Sequence, residues 1–216
     1  MERVICLIVG YAFGLIETGY IYGRFKNTDI REYGSGNAGT TNALRTFGAK
    51  GGAITFIGDL LKAVLACTLV WIVFSLMGIE PVKMYIMYTG IGVILGHDFP
   101  FYLGFKGGKG IASSAGVAFM VNPIAALIGI AFFILVVAIS KYVSLGSIVA
   151  AIVLPTAFCI TAAFGLVGLE GQPLIETCGL MIFLGLLALF QHRSNMVRLA
   201  KGNENKLNFR KKPEVN

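Results

Sequence analysis

The stretch PIAALIGIAFFILVVAIS, Pro123–Ser140, decides what kind of molecule this is. It carries no charge, and its length falls in the roughly 17–25 apolar residues that cross the hydrocarbon core of a bilayer. A helix apolar all round has no solvent face, so it belongs in a large protein core or in lipid. Its surroundings settle which. Val143–Val167 and Leu174–Phe190 follow it, and Val4–Tyr22, Gly52–Met77 and Met84–Phe101 precede it, all of comparable character. Hydrophobic residues make up 56% of the 216 and charged residues 13%, against about 25% charged in a soluble domain. The mean hydropathy is +0.78. A water-soluble fold of this size cannot hide so much apolar sequence, and a disordered chain would not contain it. The chain reads as an all-α integral membrane protein, and its 28 glycines suit close helix approach in lipid.

Charge placement orients the spans. All but three of the 18 basic residues (Arg3, Lys62 and Lys83) fall in residues 24–50, at Lys106 and Lys109, at Lys141, or in the tail from 192. These four segments alternate with poor ones and mark the cytoplasmic side. Returning the tail to that side requires an even number of crossings after residue 110, so the short apolar run Ile111–Val121 must itself cross, ending at the Asn122-Pro123 break. About seven transmembrane helices follow, the fourth short, with the N-terminus outside and the C-terminus cytoplasmic. Met1-Glu2-Arg3 runs straight into apolar sequence without a cleavage signature, so Val4–Tyr22 reads as a first span. Residues 1–202 form one transmembrane domain, and 203–216 a polar, frayed cytoplasmic tail. Cys6, Cys67, Cys159 and Cys178 sit inside apolar runs with no metal-ligand or disulfide spacing.

The polar residues gather in three segments on that one side. The first is YGSGNAGTTN, 33–42, followed by Arg45. Its glycines allow backbone N–H groups to face an anion, its Ser and Asn side chains add neutral partners, and Arg45 offers a planar fork. A glycine-rich connector whose polar residues cap the next helix explains it equally well on spacing alone. The second is GHDFP, 96–100, then FKGGKGIAS, 105–113. Gly-Gly-Lys-Gly opening a helix has the physical logic of a phosphate cradle, although it is not a Walker A loop. The third is QHRSNMVRL, 191–199, ending in GNENK, 202–206, where His192 and Asn195 share a helical face. Both histidines of the chain, His97 and His192, lie in these segments, which together make an anion site. Within the second span, Asp59 and Lys62 at i, i+3 form the cheap paired arrangement for intramembrane charge.

These segments resemble the signature motifs of the bacterial acyl-phosphate:glycerol-3-phosphate acyltransferases (PlsY-type): GSGNAGTTN at 34–42, GHDFPFYLGFKGGKGIA at 96–112, and HRSNMVRL with GNENK at 192–206. The motifs occur in order over nearly the whole chain. Ser113 stands where threonine is expected and Ser194 where an acidic residue is common. The resemblance implies transfer of a fatty acyl group from acyl phosphate to the 1-hydroxyl of sn-glycerol 3-phosphate, giving lysophosphatidic acid. It implies a multi-pass protein of the bacterial inner (plasma) membrane with its active site facing the cytoplasm. It also implies a donor made by a soluble phosphate acyltransferase, with transient contact to that enzyme, no nucleic-acid partner, and no metal or organic cofactor. On this basis Lys106, Gly107, Gly108, Lys109 and Gly110 are expected at the glycerol-3-phosphate phosphate. Gly34, Ser35, Gly36, Asn37 and Arg45 are expected around the acyl-phosphate head, with Asn42 shaping their loop. His192, helped by Asn195, is expected to orient or deprotonate the acceptor hydroxyl, and His97 is the second choice. Alternatively a substrate phosphate oxygen takes the proton. Asp59, Lys62 and Glu204 are assigned to structure.

Three rivals are weaker. Acyltransferases with a histidine, four residues, then aspartate are excluded, because neither histidine is followed by that spacing. A transporter or channel for phosphate-bearing solutes would need a polar path through the spans, and no internal repeat is apparent. A membrane anchor for other enzymes would not need two histidines and two glycine-rich anion loops.

Overall fold

A computed structural model describes residues 1–207, and every regular element among them is helical. The helices are α1 (Glu2–Gly14), α2 (Thr18–Phe25), α3 (Thr40–Leu76), α4 (Val82–Asp98), α5 (Ile111–Val121), α6 (Pro123–Ser140), α7 (Val143–Ala163), α8 (Gly171–Gln191) and α9 (Arg193–Ala200). Single 3₁₀ turns occur at Ile30–Glu32 and Phe101–Leu103. Five stretches are long and apolar enough to cross a membrane: Glu2–Phe25, which takes in α1 and α2, then α3, α6, α7 and α8. At 17 residues α4 is about 25 Å long, and at 11 residues α5 is about 16 Å, half the thickness of the hydrocarbon core.

The centre of the bundle is α4, buried on every side and contributing Met84, Ile86, Met87, Val93 and Ile94 to the core. Its closest neighbour is α1, and glycine makes the closeness possible. GYAFG (10–14) on α1 faces GVILG (92–96) on α4. A Cβ at Gly10 would fall 2.0 Å from the Thr89 carbonyl oxygen, and one at Gly92 would fall 2.3 Å from that of Leu7. Backbones therefore touch without side chains between them, the packing that lipid-embedded helices use when solvent exclusion cannot drive association.

The span read as Val4–Tyr22 is broken, and the helix that carries the second span kinks at Gly48, ahead of that span's expected start at Gly52. The first parts at Leu15–Glu17, separating α1 from α2, and there the Lys62 ammonium donates to the carbonyls of Gly14 (3.1 Å) and Ile16 (2.8 Å). A cation on the orphan carbonyls of a helix C-terminus satisfies groups that lipid cannot. The kink at Gly48 in α3 (φ 74°, ψ −169°) is a conformation only glycine adopts freely. It sets residues 40–47, including Arg45, at an angle to the span. At Asn122 the break read from Asn-Pro is present: Asn122 Oδ1 accepts from Ala125 N (3.2 Å), and its Nδ2 donates to Thr161 Oγ1 (2.6 Å).

One end of the bundle holds the connections 26–39, 99–110 and 141–142 and the segment after α8. At the other end Arg3 pairs with Glu176 (2.6 Å), and Lys83 donates to the Val167 carbonyl (2.7 Å). Residues 203–207, expected to fray, pack instead. Leu207 N donates to the Lys141 carbonyl (2.7 Å), Arg45 donates to the Asn205 carbonyl (3.4 Å), and Glu204 is buried. The remainder of the expected tail, 208–216, lies outside the described residues.

Candidate active site

The glycine-rich loop before α3 is shaped from beneath by Asn42. Its Oδ1 accepts from Ser35 N (2.8 Å), and its Nδ2 donates to the carbonyls of Ile30 and Tyr33 (3.0 Å each). Gly34 rests on the same amide, where a Cβ would lie 2.2 Å from Asn42 Oδ1. Asn42 and Gly34, grouped by the sequence with the binding residues, are thus used on the loop itself, and what the loop presents is Ser35, Gly36 and Asn37. Arg31 fixes the far side, pairing with Asp29 (2.7 Å) and donating to the Leu103 carbonyl (3.2 Å). That pairing holds the Asp29 carboxyl below its usual range.

Asn37 joins the first motif to the second. Its Nδ2 donates to the Gly107 carbonyl (2.8 Å), and its Oδ1 accepts from Gly39 N (2.9 Å). The Gly107-Gly108 turn lies on the end of α4, with Gly108 N donating to the His97 carbonyl (2.9 Å). Lys109 then reaches across to the third motif, donating to Asn195 Oδ1. Asn195 Nδ2 donates to Glu204 Oε2 (3.3 Å), which also pairs with Arg198 (2.9 Å). Lys109, Asn195, Glu204 and Arg198 form one chain of contacts, so the three motifs expected to converge do so at one end of the bundle.

Two cavities meet there. One, about 300 Å³, is lined by Ser35, Asn37, Lys106, Lys109, Arg193 and Arg198 together with Gly36, Gly107 and Gly108. Four cations and bare backbone suit a small phosphate-bearing molecule. The other, about 470 Å³, runs down between α3 and α5 on one side and α6, α7 and α8 on the other, past Leu60, Ile130, Phe133, Leu154 and Met181. Apart from its mouth it is almost wholly apolar, and it suits a lipid chain. Ser35, Asn37 and Lys109 line both cavities. Arg45, Gly110, His192 and Asn195 stand at the apolar cavity's mouth, while Lys106 lines only the basic pocket.

His192 sits where α8 gives way to α9, and its Nδ1 lies 2.8 Å from the Ala188 carbonyl oxygen. A carbonyl only accepts, so Nδ1 carries the proton and Nε2 is left as the acceptor. Burial pushes its pKa down to about 4, against the Ala188 hydrogen bond, which raises it. Burial also pushes Lys109 down to about 8, helped by the nearby Arg198 and opposed by Glu204.

His97, the second-choice histidine, is 3% exposed, and its Nδ1 lies 2.8 Å from Lys62 Nζ and 2.8 Å from Glu17 Oε1. Asp59 lies 3.3 Å from Lys62, and its backbone carbonyl accepts from Ser113 Oγ (3.0 Å), tying α3 to α5. Sequence reading missed Glu17, which is fully buried yet separated by more than 40 residues from its partners. It gave Arg193 and Arg198 no role beyond charge, although the basic-residue count in that segment was the available signal. Ser144, a buried hydroxyl lining the apolar cavity, carried no signal at all. Among the described residues no group of His, Cys, Asp and Glu is placed to hold a metal ion.

Helices suited to lipid, with a basic pocket opening into a lipid-sized groove, fit the class of membrane acyltransferases, and relatives bear this out. The family model described as glycerol-3-phosphate acyltransferase matches residues 4–202. The glycerol-3-phosphate acyltransferase of Clostridioides difficile (strain 630) is 41% identical over 96% of this chain and 97% of its own length. That of Thermoanaerobacter sp. (strain X514) is 42% identical over 96% of each. The crystal structure of PlsY, an integral membrane glycerol 3-phosphate acyltransferase, in its glycerol 3-phosphate form superposes with a TM-score of 0.81 at 33% identity, covering 96% of both chains. A second, in the lysophosphatidic acid form, gives 0.79 at 32% identity. The chain is an integral membrane acyltransferase. It belongs to the glycerol-3-phosphate acyltransferase family.

Proposed function

We propose that this protein transfers a fatty acyl group from acyl phosphate to the 1-hydroxyl of sn-glycerol 3-phosphate, releasing phosphate and lysophosphatidic acid. The observation that carries this reading is the junction itself. A basic pocket sized for a small phosphate ester opens, across Ser35, Asn37 and Lys109, into an apolar cavity sized for a lipid tail. Glycerol 3-phosphate occupies the basic pocket, held by Lys106, Lys109, Arg193, Arg198 and the Gly107-Gly108 backbone. The donor lays its chain in the apolar cavity, with its head near Ser35, Asn37 and Arg45. An acyl phosphate is a mixed anhydride with a good leaving group, so positioning and charge neutralisation supply most of the catalysis.

His192 Nε2 accepts a hydrogen bond from the acceptor hydroxyl and aligns its oxygen on the carbonyl. A group with a pKa near 4 is a weak base at neutral pH, so a phosphate oxygen of a substrate takes the proton as the C–O bond forms. Asn195 holds Lys109, and His97, whose Nδ1 is taken up by Lys62 and Glu17, is given no part in the proton transfer. We further propose a bacterial inner-membrane location with the N-terminus outside and the site on the cytoplasmic face. Seven crossings follow, with α4 and the short α5 included. The Asn122–Thr161 bond supports the crossing by α5, since it brings the end of α5 level with the last turn of α7. A soluble enzyme that makes acyl phosphate would supply the donor.

Purified protein in lipid, given acyl phosphate and labelled glycerol 3-phosphate, tests the reaction. Labelled lysophosphatidic acid is the expected product, with acyl-CoA in parallel giving none. Acylation from acyl-CoA alone would overturn the donor assignment, and uptake of label into vesicles without acylation would overturn the reaction.

A further inference from the structure

Four ionisable side chains, Glu17, Asp59, Lys62 and His97, lie buried together where the α1–α2 break, α3 and α4 meet. No step of the transfer uses them, and such a cluster is costly in lipid. Lys62 donates to the Gly14 carbonyl (3.1 Å) and the Ile16 carbonyl (2.8 Å), and its ammonium also lies 2.8 Å from His97 Nδ1. The same Nδ1 lies 2.8 Å from Glu17 Oε1, so this ring nitrogen is held between an ammonium and a carboxylate. Asp59 at 3.3 Å and Glu17 at 3.8 Å balance the lysine charge. One edge of the imidazole is thereby tied, through Lys62, to the backbone of the first span.

The other edge faces the glycine loop. A Cβ at Gly108 would fall 1.9 Å from His97 Nε2 and 2.3 Å from Cε1, and one at Gly107 would fall 1.9 Å from the His97 carbonyl oxygen. The ring is the seat on which the Gly107-Gly108 turn rests. From there the chain passes directly to Lys109, which lines both cavities.

We infer that His97 is a positioning residue for the 107–109 loop and that Lys62 acts through it, the buried cluster fixing where the loop amides and the Lys109 ammonium point. Glycine stands at 108 because of the imidazole beneath it as well as any phosphate above it. This inference rests on the loop being a substrate-phosphate site, as proposed above.

A mutant cycle separates this role from general destabilisation. Asparagine at 97 keeps a polar atom near the Nδ1 position but lacks Cε1 and Nε2, the atoms against Gly108. Gly108→Ala alone is expected to raise KM for glycerol 3-phosphate on the order of tenfold, with KM for acyl phosphate changed by less than about twofold. In the His97→Asn background the same substitution is expected to cost only about twofold, since contacting residues couple while distant ones multiply. Lys62→Met is likewise expected to cost less in the His97→Asn background than alone. Should Lys62→Met not survive purification, the Gly108/His97 cycle decides by itself. An equal cost of Gly108→Ala with and without the imidazole, or no change in either KM, overturns the inference. Coupling that appears in KM for acyl phosphate upholds the positioning role and overturns the assignment of the loop to glycerol 3-phosphate.

Discussion

At Lys109 one ammonium lines both cavities, and its ionisation has a measurable consequence. The group is charged below a pKa of about 8 and neutral above it, so attraction for phosphate is lost as pH rises. Because kcat/KM reports the free enzyme, its pH profile for glycerol 3-phosphate is expected to fall above about pH 8. Lys109→Arg is expected to shift that limb upward, because a guanidinium keeps its charge. At His192 the proposed mechanism asks for an acceptor, not a strong base. His192→Gln, which retains an acceptor, is expected to keep kcat within about tenfold with an unchanged pH profile, while His192→Ala loses about 100-fold. A pH limb that vanishes in His192→Gln would restore histidine as the base. At this scale sequence showed both histidines, Lys106, Lys109 and Arg45 as site candidates because charge in an apolar chain is conspicuous. Asn42 was conspicuous only as a polar, uncharged side chain, and its amide is consumed by its own loop. That distinction depends on which amide atoms already have partners. Glu17 was just as visible as a charge in an apolar run, but its use was not, because its partners come from α3 and α4.

The helices were legible because lipid demands long apolar runs, and the Asn122-Pro123 break was legible from proline chemistry. The break at Leu15–Glu17 was missed, although Glu17-Thr18-Gly19 interrupts the apolar run there, because the lysine that satisfies its freed carbonyls lies more than 40 residues away. The α1–α4 contact belongs to this scale too. Each GxxxG is visible alone, but which two face each other is decided by packing. Gly92→Val inserts a side chain where a Cβ would already lie 2.3 Å from the Leu7 carbonyl oxygen. It is expected to cost about 3 kcal/mol and to lower the melting temperature in detergent. Gly179, with nothing near its Cβ position, is the control, and Gly179→Ala is expected to leave the melting temperature within a few degrees or raise it.

For the molecule as a whole, sidedness is the open consequence of the charge pattern. In a background without the four native cysteines, Lys50→Cys is expected to react with an impermeant thiol reagent only when the cytoplasmic face is exposed. Lys83→Cys is expected to react from outside. Labelling of both from one side would overturn the topology.

Sequence by itself determined that this chain is helical and lives in lipid, because apolar surface of that extent has no other stable solvent. It also determined which segments carry charge, since each costs enough in a membrane to need a use. The tertiary structure alone decided that the three motifs share one junction between a basic and an apolar cavity, that residues 203–207 close over it, and that a buried lysine holds the imidazole beneath the glycine loop. Those facts are distances between segments remote in the chain, set by helices packing backbone to backbone, and no local pattern encodes them.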